Sequence, residues 1–140
     1  MTVVFALGNP ARGDDGAGPA AVEGLDLGAA RVVVTHQLLP EHADLLAGAA
    51  LAVFVDAREG GPAGSIREED VVPGGRAPLS HHLSPNHLLA LSLALHGRAP
   101  RGVTLSVAGA DFAHADGLSR AVKDALPELR ERLRCLARGP

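Results

Sequence analysis

A short apolar run at residues 3–7, Val3-Val4-Phe5-Ala6-Leu7, leads directly into Gly8-Asn9-Pro10-Ala11-Arg12-Gly13-Asp14-Asp15-Gly16-Ala17-Gly18. The run is short and closed by turn residues, which is the pattern of a buried strand. The residues after the turn, Pro19 to Val22, are small and apolar and read as the start of a helix. The segment is therefore a strand-to-helix turn that carries two adjacent carboxylates among four glycines. Glycine permits φ > 0 and the close approach of a ligand or another backbone. Two acids at such a turn suggest a site for a cation or a positively charged group.

The rest of the chain repeats this alternation. Residues 31–35 (Arg-Val-Val-Val-Thr) are β-branched and read as a second strand, and 51–56 (Leu-Ala-Val-Phe-Val-Asp) as a third, ending on an acid. Residues 65–67 suggest a brief edge strand, and 102–107 a further strand. Helices are expected over about 18–25, 41–47, 85–96 and 119–136, the second and third opened by Pro40 and Pro85. Pro127 predicts a kink or a break in the last helix. Residues 71–79, with Pro73, Gly74, Gly75 and Pro78, read as a loop. Strands alternating with helices imply an α/β three-layer sandwich, a mostly parallel sheet of about five strands with helices on both faces. No repeat or linker divides the chain, so residues 1–140 form one expected domain. In such sheets ligands bind beyond the carboxyl ends of the strands. Asp14 and Asp15 follow the first strand, His36 the second, and Asp56 ends the third.

Composition narrows the function. Aromatic residues are 2% of the chain, with no Trp or Tyr, so stacking platforms for bases are scarce. The net charge is −3, and no basic patch marks a nucleic-acid partner. No segment approaches the roughly 18 apolar residues of a membrane span, and no signal-peptide pattern opens the chain. The single Cys135 excludes an intramolecular disulfide and a thiolate zinc cluster, and its helical position suggests inert core. These features suggest a cytoplasmic protein with neither a nucleic-acid nor a membrane partner.

Among the acids, Asp14 suits a capping role at the helix that follows it. Asp15 and Asp56 come from separate strand ends, and His81 and His82 lie in a loop that could return to those ends. His42 and His96 lie on expected helices and His114 in a loop, where a solvated or structural role is the simpler reading. Two carboxylates and one imidazole with open positions suit zinc or nickel. No G-x-S-x-G elbow, Walker A sequence or G-x-G-x-x-G is present.

These motifs resemble those of the [NiFe] hydrogenase maturation proteases, the M52 peptidase family. The opening Gly8-Asn9-Pro10 with Gly13-Asp14-Asp15-Gly16-Ala17-Gly18 is similar to the family's first signature. The strand ending Asp56-Ala57 is similar to its second, and Ser80-His81-His82 with Leu83-Ser84-Pro85 to its third. His36-Gln37-Leu38 with Pro40-Glu41, and Gly117-Leu118-Ser119 with its helix, extend the likeness over nearly the whole chain. The resemblance implies a phosphorylase/hydrolase-like fold. It also implies an endopeptidase that removes the C-terminal extension of the nickel-loaded large-subunit precursor of a [NiFe] hydrogenase. Asp15, Asp56 and His82 would contact nickel, with His81 and His87 as alternatives to His82. The nickel would come chiefly with the substrate, the immature large subunit. The isolated protein's site would then be empty or hold another divalent metal. Either a carboxylate or the metal could activate water. Two other readings stand beside this one. A nickel-dependent docking or chaperone module would use the same ligands without cutting. A peptidyl-tRNA hydrolase would share Gly8-Asn9-Pro10, but Ala11 and the acids that follow depart from its pattern.

Overall fold

The computed structural model describes residues 1–75, 83–113 and 117–138. Five strands form one sheet: β1 (Thr2–Leu7), β2 (Arg31–Thr35), β3 (Leu51–Arg58), β4 (Ile66–Val71) and β5 (Arg101–Ala108), in the order β2-β1-β3-β5-β4. β1, β2, β3 and β5 are parallel, while β4 runs antiparallel to β5. The α-helices are α1 (Ala17–Val22), α2 (Pro85–His96) and α3 (Arg120–Arg138). Short 3-10 segments occupy Gly13–Gly16 and Pro40–Leu46.

Period-two alternation along the parallel strands sends side chains to two cores. Val4, Val53, Val55, Leu105 and Val107 pack against α1 and α3. Val3, Phe5, Ala52 and Phe54 pack against α2 and the Pro40–Leu46 segment. Phe5 and Phe54 are directly paired in register and stack at 5.2 Å between ring centroids, only 8° from parallel. The edge of the His42 ring meets Phe5 at 5.6 Å, while its Nδ1 accepts the Leu39 N–H. His42 is thus structural, as its place in a helical segment suggested.

Several local expectations shift. The brief strand at 65–67 is instead β4, which extends to Val71 because β5 offers a full antiparallel partner. The helix expected over 41–47 is a 3-10 segment, and the first α-helix ends at Val22. Pro127 neither ends nor divides α3. It lies on the exposed side, where water can satisfy the carbonyl that loses its N–H donor. Cys135 is exposed rather than core, because it lies on the outer side of α3, between the buried Leu133 and Ala137 of the inner side. The leucine face of α2 is only partly core. Leu88 and Leu89 are fully buried, while Leu93 and Leu95 are exposed at the end of the helix. Arg130 of α3 also reaches beyond its own helix. The Arg130 guanidinium donates to the Ala20, Ala21 and Glu23 carbonyls and so closes the end of α1.

Phe54→Ala should cost about 4 kcal/mol by opening a cavity beside Phe5. A loss of unfolding free energy below about 1 kcal/mol in denaturant titration would mean that the ring stack does not carry this core.

Candidate functional site

The carboxyl ends of β1 and β3 lie side by side, with Ala6 in register with Val55. The chain leaves β1 at Gly8 with φ +131°, a conformation that disfavours any side chain. A Cβ there would strike the Asp15 backbone carbonyl, so the turn folds back tightly onto the strand end. At Gly18 a Cβ would run into the Leu7 and Val55 carbonyls, so α1 packs directly over β1 and β3. These two contacts explain two of the turn's glycines without any phosphate ligand.

The adjacent acids have separate roles. Asp14 is fully buried. Its Oδ2 accepts the Ala110 N–H at 2.7 Å and the Asp111 N–H at 3.0 Å, and its Oδ1 accepts the Ser119 N–H at 2.7 Å. The Asp14 N–H in turn donates to the Asp111 carbonyl at 2.8 Å. Asp14 therefore ties the opening turn to the β5–α3 connection and to the start of α3. It does not cap the helix that directly follows it, where no side-chain cap bond forms. Burial pushes its carboxyl up, but the bonds from Ser119, Ala110 and Asp111 outweigh this and hold it below the ordinary 3.8.

Asp15 is half-buried and faces the strand ends. Its Oδ2 accepts the Asn9 N–H at 2.7 Å. Asp56, also half-buried, lies near the end of β3 and accepts the Ala57 N–H on Oδ1 at 2.8 Å. Burial raises its carboxyl; the Ala57 N–H opposes this, and the charge of Asp15 adds to the rise, leaving the pKa at about 7. The fold thus brings Asp15 and Asp56 within electrostatic reach of each other. Each retains one oxygen with no hydrogen-bond partner among the described residues. Like charges at a half-buried strand end suit a divalent cation, since a positive ion removes both the repulsion and the desolvation cost.

His81 and His82 lie outside the described residues, as do positions 76–79, His114 and Asp116. His87 occupies the first turn of α2. There its Nδ1 lies 2.7 Å from Ser84 Oγ and accepts the Ser84 N–H at 3.3 Å, an N-terminal capping arrangement. His36 is exposed just beyond β2. Among the described residues no three His, Cys, Asp or Glu side chains converge.

A cavity of about 190 Å³ opens beside Asp15, lined also by Arg12, Ala57, Glu59 and Phe112. Phe112 does not emerge as a site residue from local sequence, because the Asp14 clamp is what carries its loop to the strand ends. Its one visible signal is an aromatic in a polar loop of a chain with only three Phe.

The architecture is that of a mostly parallel α/β protein with its acids at the carboxyl edge of the sheet, and solved structures share it. The hydrogenase maturating endopeptidase HybD from E. coli superposes with a TM-score of 0.78 at 17% identity, over 95% of this chain and 89% of that one. The [NiFe] hydrogenase maturation protease HybD from Thermococcus kodakarensis gives 0.76 at 21% identity, over 98% and 99%. HycI, a [NiFe] hydrogenase maturation protease from Thermococcus kodakarensis KOD1, gives 0.76 at 21%, over 99% and 93%. No protein-family model matches the chain, and no curated protein matches it by sequence. The likeness is thus one of fold.

Two predictions follow from the divided roles of the acids. Asp14→Ala should lower stability by about 3 kcal/mol, because three buried N–H groups lose a charged acceptor. Its depressed pKa places that contribution above the ordinary carboxylate range, and the contribution is lost as pH falls through the folded-state value. Asp56 has the opposite sign. Its folded form holds a proton up to about pH 7, while the unfolded form releases it near 3.8, so stability falls as pH rises through that window. Asp56→Asn should flatten this decline and raise the melting temperature at pH 8 by about 5 °C. An unchanged pH profile in a thermal-unfolding series would count against the raised carboxyl.

Proposed function

We propose that this chain is a hydrogenase maturation endopeptidase, which removes the C-terminal extension of the nickel-loaded large-subunit precursor of a [NiFe] hydrogenase. The observation that carries this reading is the meeting of Asp15 and Asp56 at the carboxyl edge of the sheet. The fold is also that of solved hydrogenase maturation proteases. In this reading Asp15 and Asp56 face the nickel that the substrate brings, together with His82. Nickel is then part of what is recognised rather than a resident cofactor. The free oxygens of the two acids supply hard donors, and an imidazole adds a borderline one, a set suited to nickel.

The two acids divide the chemistry. Asp15 is fixed by the Asn9 N–H and serves as an oriented anionic donor. Asp56 has a pKa of about 7 without the metal, so facing nickel would displace its proton, and the ionised carboxylate then suits general-base work on water. Phe112 and Ala57 line the cavity beside Asp15 and offer an apolar surface to the peptide near the cut. No helix among the described residues is long and apolar enough to cross a membrane.

Incubation of the purified protein with the nickel-loaded precursor should release one C-terminal fragment, seen as a single mass loss. Asp15→Asn and Asp56→Asn should each slow the release at least about 100-fold. His82→Ala should do the same, while His81→Ala and His87→Ala should not. A stable complex that leaves the precursor uncut would favour the docking module over the peptidase.

A further inference from the structure

The two edges of the sheet are built differently. β4 closes one side with Arg67, Glu68, Glu69 and Asp70, all exposed. Charged edges of this kind prevent pairing with another chain. β2 closes the other side with Arg31-Val32-Val33-Val34-Thr35, which has neither an internal charge nor a proline. It also lacks a bulge, since its five residues pair consecutively with β1. The Thr35 carbonyl accepts the Gly8 N–H, so Arg31, Val33 and Thr35 direct their backbone groups toward β1. In a parallel ladder the alternate residues face the other way. The N–H and C=O of Val32 and Val34 therefore point outward from the sheet edge.

The side chains of these two valines are 40% and 59% exposed. Both line a groove of about 570 Å³, whose walls include Val22 and Leu25 after β1 and Leu118 before α3. Pro10, Gly13 and Gly16, from the same turn that presents Asp15, also line the groove. The apolar edge and the candidate catalytic turn thus form one continuous surface.

We propose that the β2 edge and this groove are the docking surface for an extended segment of the substrate polypeptide. Such a segment would add a sixth strand beside β2, with about five residues and apolar side chains at alternate positions. Its backbone would pair with Val32 and Val34, its alternate side chains would fill the groove, and its course would lead to the turn that bears Asp15. A second copy of the chain fits less well. Residues of the turn that bears Asp15 wall the groove, and a substrate segment must reach that turn while a second copy need not. This inference rests on the endopeptidase reading, which supplies the polypeptide partner.

The test uses the full chain and the nickel-loaded precursor. On complex formation, amide hydrogen exchange at Val32 and Val34 should slow at least tenfold. Val34→Pro removes one outward N–H, which an edge strand tolerates, and Val34→Lys adds the charge that β4 already carries. Each variant should keep its melting temperature and raise the KM for precursor at least tenfold, with kcat changed less than twofold. Unchanged exchange at both amides, or a parental KM in a folded Val34→Pro, overturns the docking surface while leaving the peptidase reading intact. Sedimentation showing that the parent self-associates through this edge, and that Val34→Lys does not, assigns it to a second copy and overturns the proposal. If the parent neither binds nor cuts the precursor, the peptidase reading fails and the docking surface fails with it.

Discussion

The buried carboxylate of Asp14 is the interaction on which the working end of this protein depends. An ionised group at zero exposure is costly unless its lone pairs are met by donors. Here three backbone N–H groups meet them, all from positions 110–119. The exchange benefits both partners. The carboxylate is solvated by protein, and the chain gains fixed anchors just after β5 and just before α3. α3 starts where Asp14 holds the Ser119 N–H, and Phe112 reaches the cleft because the preceding residues are bound to the same oxygen.

This clamp also frees its neighbour. With Asp14 directed inward, Asp15 projects to the strand ends, where one backbone N–H steadies it and one oxygen remains available. β1 and β3 are adjacent and parallel, so Asp56 arrives at the same edge from an independent part of the chain. Burial and the nearby charge of Asp15 raise the Asp56 pKa to about 7. Two acids of the same type thus differ through their surroundings: Asp15 is held by the Asn9 N–H, and the Asp56 pKa is raised to about 7. The asymmetry of the sheet adds a third property, since charge guards only the β4 edge while the edge beside the acids is apolar.

Much of the architecture is legible in the residues themselves. Strands at 3–7 and 51–56 appear as apolar runs because both their faces are buried, and the β-branched 31–35 stands out in the same way. The long helix after Ser119 shows its inward side as Val122, Leu129 and Leu133. The full length of β4 is not legible. Its Arg67-Glu68-Glu69-Asp70 segment carries no apolar alternation, and its strand conformation comes from hydrogen bonding to β5. The ends of α2 mislead for a related reason: Leu93 and Leu95 follow the apolar pattern, but no element covers them.

The sequence by itself determined the alternation of strands and helices, the sidedness of the core and the presence of acids just after two strands. Those properties reside in local patterns of polarity, which burial enforces residue by residue. Only the tertiary structure decided the order β2-β1-β3-β5-β4, the union of Asp15 with Asp56, and the separation of Asp14 from Asp15. Each of these rests on partners far apart in the chain, and the Asp14 bonds span 96 to 105 residues. Two adjacent aspartates are chemically identical as sequence. The donors that the folded chain brings to each make one a clamp and the other a candidate ligand.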